Sequence, residues 1–251
     1  MATKQQRWKL MIKFVATDVD GTLTLRRGDV RISIDAINGI RLLESRGIRV
    51  SLISGNSLPV TIGLRGYIGA KGPSVAENGC VIYYHGIRHI CKESPPEELR
   101  KAALEMGLIE SWQNQFRFHD YAFFIPRSVP KEKVTDYVNR TDQLASSYGF
   151  KVLWSGYALH ILPRNAGKVI GMKAAVELLG YSLNETASIG DGENDIDMHK
   201  APAFSACPSD ASEKVKNVVN FIASRPGGSG FLEIAKYLLT KNESEMRFLH
   251  R

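Results

Sequence analysis

The amino-acid sequence predicts an α/β protein: a doubly wound parallel sheet with an α+β module inserted into it. Three observations carry that expectation. Apolar runs of strand length alternate with helix-length segments at both ends of the chain, and several of those runs stop at short acidic or glycine-containing turns. The middle of the chain changes rhythm to helix, strand, strand, helix, strand, strand. With 251 residues, 43% of them hydrophobic, the chain can bury a core and carry a smaller inserted domain. The expected division is a core in residues 1–86, an insertion in 87–163 and the rest of the core in 164–251.

From Leu10 to Thr17 an apolar, branched run leads straight into Asp18-Val19-Asp20-Gly21-Thr22 and reads as a buried strand ending in a turn. Ile34 to Ser45 has helical spacing with Gly47 as its stop, and Ile48 to Ile53 is a second apolar strand ending at Ser54-Gly55-Asn56. A helix over Leu58 to Gly66 and a strand over Gly79 to Tyr84 follow. In the insertion, Pro95-Pro96 opens a helix to Met106, where a missing N–H does no harm. Strands are expected at Gln115 to His119 and Tyr121 to Ile125, then a helix from Pro130 to Ser147 and strands at Phe150 to Trp154 and Tyr157 to Leu162.

The core alternation then resumes with a helix from Lys168 to Leu179 and a strand at Thr186 to Ile189. That strand ends in Gly190-Asp191-Gly192-Glu193-Asn194-Asp195, followed by a helix through Met198. A strand at Ala203 to Ala206, a helix from Ala211 to Val218 and another from Phe231 to Leu239 close the fold, with Lys241 to Arg251 expected to fray.

The formal net charge of +7 favours an anionic partner without naming it. The basic residues are dispersed and lack interleaved aromatics, so nucleic acid is not expected as a partner. No run reaches the length of a membrane span and no signal-peptide core is visible, so the expected location is cytoplasmic, with no membrane partner. Cys80, Cys91 and Cys207 are too scattered for a zinc cluster and read as buried thiols, with a Cys80–Cys91 pair as the alternative.

Asp18 and Asp20 lie two apart at a strand end, so in extended geometry both point the same way. Two carboxylates so close repel unless a cation or a shared proton relieves them. Alone, such a pair is more often a solvated turn; the apolar strand before it points instead to a site. Asp191 and Asp195 form a second acidic group after a strand, flanked by glycines. Oxygen-only ligands of this kind suit a hard cation, magnesium above calcium or zinc. Ser54-Gly55-Asn56 sits where backbone N–H groups and a hydroxyl can hold phosphate oxygens, although such turns are mostly structural. Lys168 opens a helix, a place unfavourable to a cation unless an anion is near.

Taken in order, Asp18-Val19-Asp20-Gly21-Thr22-Leu23-Thr24, Ser54-Gly55-Asn56, Lys168 and Gly190-Asp191-Gly192-Glu193-Asn194-Asp195 resemble the four motifs of the haloacid dehalogenase (HAD) superfamily of phosphatases. The insertion, Ala76-Glu77-Asn78-Gly79 and Pro208-Ser209-Asp210-Ala211 resemble its Cof-type branch, and the short cap is most similar to archaeal phosphoglycolate phosphatases; Cys207 departs from the pattern.

The resemblance implies a Rossmann-like, HAD-like core with a cap, and hydrolysis of a small phosphate ester, 2-phosphoglycolate above others. Asp18 would be nucleophile and Asp20 acid and base. Magnesium would be held by Asp18, Asp20 through its backbone carbonyl, Asp191 and Asp195, and phosphate by Ser54, Gly55, Asn56, Lys168 and Asn194. Arg117, His119, Tyr121 and Tyr157 are cap residues that would choose the leaving group or be merely structural, with Arg117 and His119 suited to a carboxylate. The alternatives are a sugar-phosphate phosphatase or phosphomutase, and a non-catalytic anion- or nucleic-acid-binding protein. A homodimer is left open.

Overall fold

A computed structural model describes residues 11–249, with side chains through Ser244. The chain runs β1 (Phe14–Thr17), α1 (Ile34–Ser45), β2 (Arg49–Ile53), α2 (Leu58–Ile68), β3 (Ser74–Ala76), β4 (Val81–Tyr83) and β5 (Ile87–His89). It continues through α3 (Glu97–Glu105), β6 (Ile109–Glu110), β7 (Tyr121–Phe124), α4 (Val134–Ser147), β8 (Phe150–Trp154) and β9 (Leu159–Pro163). It closes with α5 (Lys168–Leu178), β10 (Thr186–Ile189), α6 (Ile196–Lys200), β11 (Phe204–Cys207), α7 (Glu213–Lys216), β12 (Phe221–Ile222) and α8 (Gly227–Leu249).

Two sheets result. The larger has eight strands in the order β12-β11-β10-β1-β2-β3-β4-β5, parallel from β12 to β3 and antiparallel beyond. Successive side chains of a strand face opposite ways, so β1 feeds two cores. Val15 joins Leu52, Ile40, Leu43 and Phe231 under α1 and α8. Phe14 and Ala16 join Ile53, Val75, Met172 and Met198 under α5 and α6. The α/β expectation follows from this burial on both faces, which needs nearly continuous apolar strands. The smaller sheet, β6-β7-β9-β8, is antiparallel, and with α3 and α4 it buries Leu99, Ala103, Phe123, Ala145 and Ile161.

The structure departs from expectation in several places. Ile87, expected to begin the insertion, pairs with Tyr83 in the larger sheet. The strand expected at Gln115 to His119 is absent: Trp112–Phe116 is a 3-10 turn, and the extra cap strand is Ile109–Glu110. Hydrogen bonding explains the turn. The Ser111 hydroxyl accepts from Gln113 N, and the Asn114 side chain both accepts from Ala122 N and donates to Ala122 O, in place of a strand partner.

Helix α8 starts earlier than Phe231 and runs to Leu249, so Lys241 to Leu249 is helical and not frayed. Asn242 is buried and anchors the helix by accepting from Ile12 N and donating to Ile12 O. Leu10, expected to open the first strand, lies outside the described residues, as do His250 and Arg251. Cys80 and Cys91 form a disulfide, while Cys207 is a free buried thiol. Among the described residues no helix is long and apolar enough to cross a membrane.

Candidate active site

Adjacent parallel strands deliver the acidic groups. β1 lies between β2 and β10, and its ladder continues past the strand as Asp18 N donates to Ile189 O at 2.8 Å. Asp18 and Asp191 therefore emerge side by side at the carboxyl ends of neighbouring strands, where α/β sheets place their sites. Gly21 makes the approach possible: its φ is +92°, and a Cβ there would lie 2.4 Å from the Asp191 carboxylate oxygens. Thr22 Oγ1 donates to Asp191 Oδ1 at 3.1 Å.

Lys168 Nζ, at the start of α5, lies 2.6 Å from Asp18 Oδ1 and 2.7 Å from Asp195 Oδ1. Those two anions answer the unfavourable helix dipole. Asp195 Oδ2 accepts from Asp191 N and Gly192 N, so this side chain shapes the loop after β10. Asp18, Asp191 and Asp195 are all buried, and each offers an oxygen within 4.8 Å of the others. Asp20 turns the other way, accepting from Asn56 Nδ2 at 2.8 Å.

The electrostatics show an excess of negative charge. Burial, then the charge of Asp195, holds the Asp18 carboxyl well above the usual range, against the pull of Lys168. Burial and Asp195 push Asp191 up to about 7, with Arg27, whose Nε is 3.5 Å from Asp191 Oδ2, opposing them. Desolvation by the surrounding protein also raises Asp20, though its side chain remains exposed to the cavity. For Lys168, burial would lower the pKa, but Asp18 and Asp195 outweigh it and raise it. Three buried carboxylates around one ammonium fit a hard divalent cation, whose charge favours their ionised forms.

Above this floor is a cavity of about 330 Å³ lined by core and cap. Asp18, Asp20, Gly55, Asn56, Lys168, Asp191 and Asn194 line it; Ser54 and Asp195 lie behind. The Ser54 hydroxyl accepts from Asn56 N and Nδ2, both at 3.0 Å, and so positions the turn. Asn56 in turn accepts from the cap's Gln113 Nε2 at 2.8 Å.

Of the four cap candidates, Arg117 and Tyr157 line the cavity. Tyr121 faces a separate groove with Glu97 and Arg100. His119 packs instead against His89, Nε2 to Nδ1 at 2.7 Å, and its Nδ1 is 2.9 Å from Glu93 O. The Arg27, Asn78, Gln113 and His160 side chains also line the cavity and were given no role by sequence reasoning. Asn78 falls in the string Ala76-Glu77-Asn78-Gly79 noted for its resemblance, and His160 stands out as an isolated imidazole inside the apolar run Leu159–Pro163.

Comparison with known proteins agrees with this architecture. The haloacid dehalogenase-like hydrolase family model matches residues 15–143 and 124–233. A protein of Aeropyrum pernix named phosphoglycolate phosphatase is 41% identical over 229 residues, 91% of this chain and 94% of that one. One of Metallosphaera sedula with the same name is 38% identical over 92% of this chain and 100% of its own length. A crystal structure from Thermoplasma acidophilum, 31% identical, superposes with a TM-score of 0.79 over 91% of this chain and 99% of that one. Family profile, full-length relatives and backbone all coincide, and the chain belongs to the haloacid dehalogenase-like hydrolases.

Proposed function

We propose that this protein is a magnesium-dependent phosphatase that hydrolyses a small phosphate monoester, 2-phosphoglycolate, through an aspartyl-phosphate on Asp18. The observation that carries it is the meeting of Asp18, Lys168 and Asp191 at one cavity floor, with Asp195 behind them and Asp20 beside them. The substrate is supported by the names of the two relatives and by a guanidinium, that of Arg117, in the cavity wall.

The Asp18 carboxylate attacks phosphorus; an O–P bond forms as the bond to the leaving alkoxide breaks. Asp20, whose carboxyl is raised by desolvation, gives a proton to the alkoxide and then takes one from the attacking water. Water forms the new P–O bond and Asp18 is released as carboxylate. Lys168 compensates charge at Asp18 and on the phosphoryl oxygens, while Gly55, Asn56 and Asn194 hold the group in place. Ser54 and Asp195 position the turns that present these residues. Asp18, the Asp20 carbonyl and Asp191, with Asp195 behind, would hold magnesium, which when bound supplies positive charge to the phosphoryl oxygens. The cap excludes bulk water.

A phosphate-release screen over phosphoglycolate, sugar phosphates and an aryl phosphate tests this. Activity should disappear on chelation, return with magnesium and be absent from folded Asp18→Asn. Turnover by that variant would remove Asp18 from the mechanism, and a preference for sugar phosphates would overturn the substrate.

A further inference from the structure

The cavity has a second polar wall that no step above uses. Asn78 is fully buried in the turn after β3, Arg117 exposes 2% of its side chain and His160 is 5% exposed, yet all three line the cavity with Asp18 and Asp20. One carboxylate holds two of them. Arg117 Nη1 donates to Asp120 Oδ1 at 2.6 Å, and His160 Nδ1 lies 2.9 Å from Asp120 Oδ2. Burial would raise Asp120, but Arg117 and His160 outweigh it and lower its pKa, so the carboxylate accepts from both. That arrangement leaves capacity unused: Arg117 Nε and both polar side-chain atoms of Asn78 have no hydrogen-bond partner in the protein.

Buried polar atoms are seldom left unpaired, because desolvation without a new bond is costly. Three of them on residues of one cavity wall call for a ligand. Gly55 keeps the space beside them open, since a Cβ there would lie 3.1 Å from Asn78 Oδ1 and 3.2 Å from His160 Nε2.

We infer that Asn78, Arg117 and His160 form a carboxylate subsite that receives the acid end of the leaving group. This subsite presupposes the phosphatase activity proposed above and names how its substrate is chosen. Guanidinium and amide N–H groups are the donors a carboxylate accepts from. A compact ester carrying one phosphate and one carboxylate finds donors for both in the same cavity, whereas an alkyl phosphate with no carboxylate leaves Arg117 Nε–H and Asn78 Nδ2–H unpaired and is disfavoured on that account. Asp120 is a positioning residue, fixing Arg117 and His160 without facing the ligand.

The test compares the wild type with Arg117→Lys, which keeps a cation beside Asp120, and Asn78→Asp, which keeps size in a backbone with φ +53° that aspartate tolerates. Thermal melting first establishes that both fold. Two readouts follow in magnesium buffer: kcat/KM for 2-phosphoglycolate and ethyl phosphate, and calorimetric binding of glycolate. Each variant should lose about tenfold or more on phosphoglycolate, with ethyl phosphate within about threefold, and glycolate should bind the wild type and weaken in parallel. Equal losses on both esters, equal glycolate binding by all three proteins, or none by the wild type would overturn the subsite. A wild type that binds glycolate through these residues but does not hydrolyse phosphoglycolate would overturn the substrate assignment and leave the subsite standing.

Discussion

Asp20 differs from its acidic neighbours in what it touches. Asp18 and Asp195 share Lys168, while Asp20 Oδ2 accepts from Asn56, which is itself tied to the cap through Gln113. Desolvation by the surrounding protein raises its carboxyl above the ordinary value, the direction a general acid requires, although the side chain still meets the open cavity. Asp20→Asn should lower kcat by about 10²–10⁴ with the fold and magnesium affinity retained, and a loss of less than about threefold would remove it from proton transfer. Asp18, Asp20, Lys168 and Asp191 stood out because each sits at a strand end or helix start and because together they fall in the order of the four motifs the sequence resembles, no one spacing being specific by itself. Arg117 was named as a cap candidate suited to a carboxylate, but its neighbours Asn78 and His160 were not: the three come from a cap loop, a turn and a cap strand, and only tertiary folding brings them to one cavity.

Among the elements, the long ones were readable, whereas several of the shortest strands were not, although β4, α6 and α7 fall inside expected segments. β3, β5, β6 and β12 have two or three residues each, too few for a period of two to show. The misread Trp112–Phe116 turn is fixed by Ser111 and Asn114 side chains, which no hydrophobic pattern records. Core and cap are joined at that level too. Glu77, in the turn after β3, accepts from Phe118 N and from His119 N at 2.7 Å. Burial, then the charge of Asp120, pushes Glu77 up to about 8, with the two N–H bonds and Arg117 opposing.

Between the ordinary carboxyl range and pH 8 the folded protein therefore keeps a proton that the unfolded chain has lost. Stability from this group is complete below that window and declines as pH rises through it. In Glu77→Gln the Tm should fall less from pH 5 to pH 8 than in the wild type, with roughly 2–4 °C of difference per kcal/mol involved. Parallel Tm–pH curves would show that Glu77 does not titrate there.

At the scale of the whole molecule, the disulfide closes the open end of the β4–β5 hairpin, joining the turn before β4 to the segment that leads into the cap. Cys80 and Cys91, 11 apart in sequence, pack beside Leu162 and Ala166, where the chain returns from the cap. Closing a loop of that length restricts the unfolded chain and should contribute about 2–3 kcal/mol. The double variant Cys80→Ser, Cys91→Ser should melt roughly 5–10 °C lower, and reductant should bring the wild type to the same Tm. Insensitivity to both would show that the link contributes nothing. The strand order carries a last consequence, for synthesis. Because β1 is flanked by β2 and β10, its second edge stays open from the translation of Phe14 until Thr186 emerges, while every strand of the cap has already found its neighbours. A nascent chain thus displays an apolar, unzipped edge for most of its time on the ribosome, and the floor carrying Asp18 and Asp191 can close only after the cap has been made, with β11, β12 and α8 still to follow.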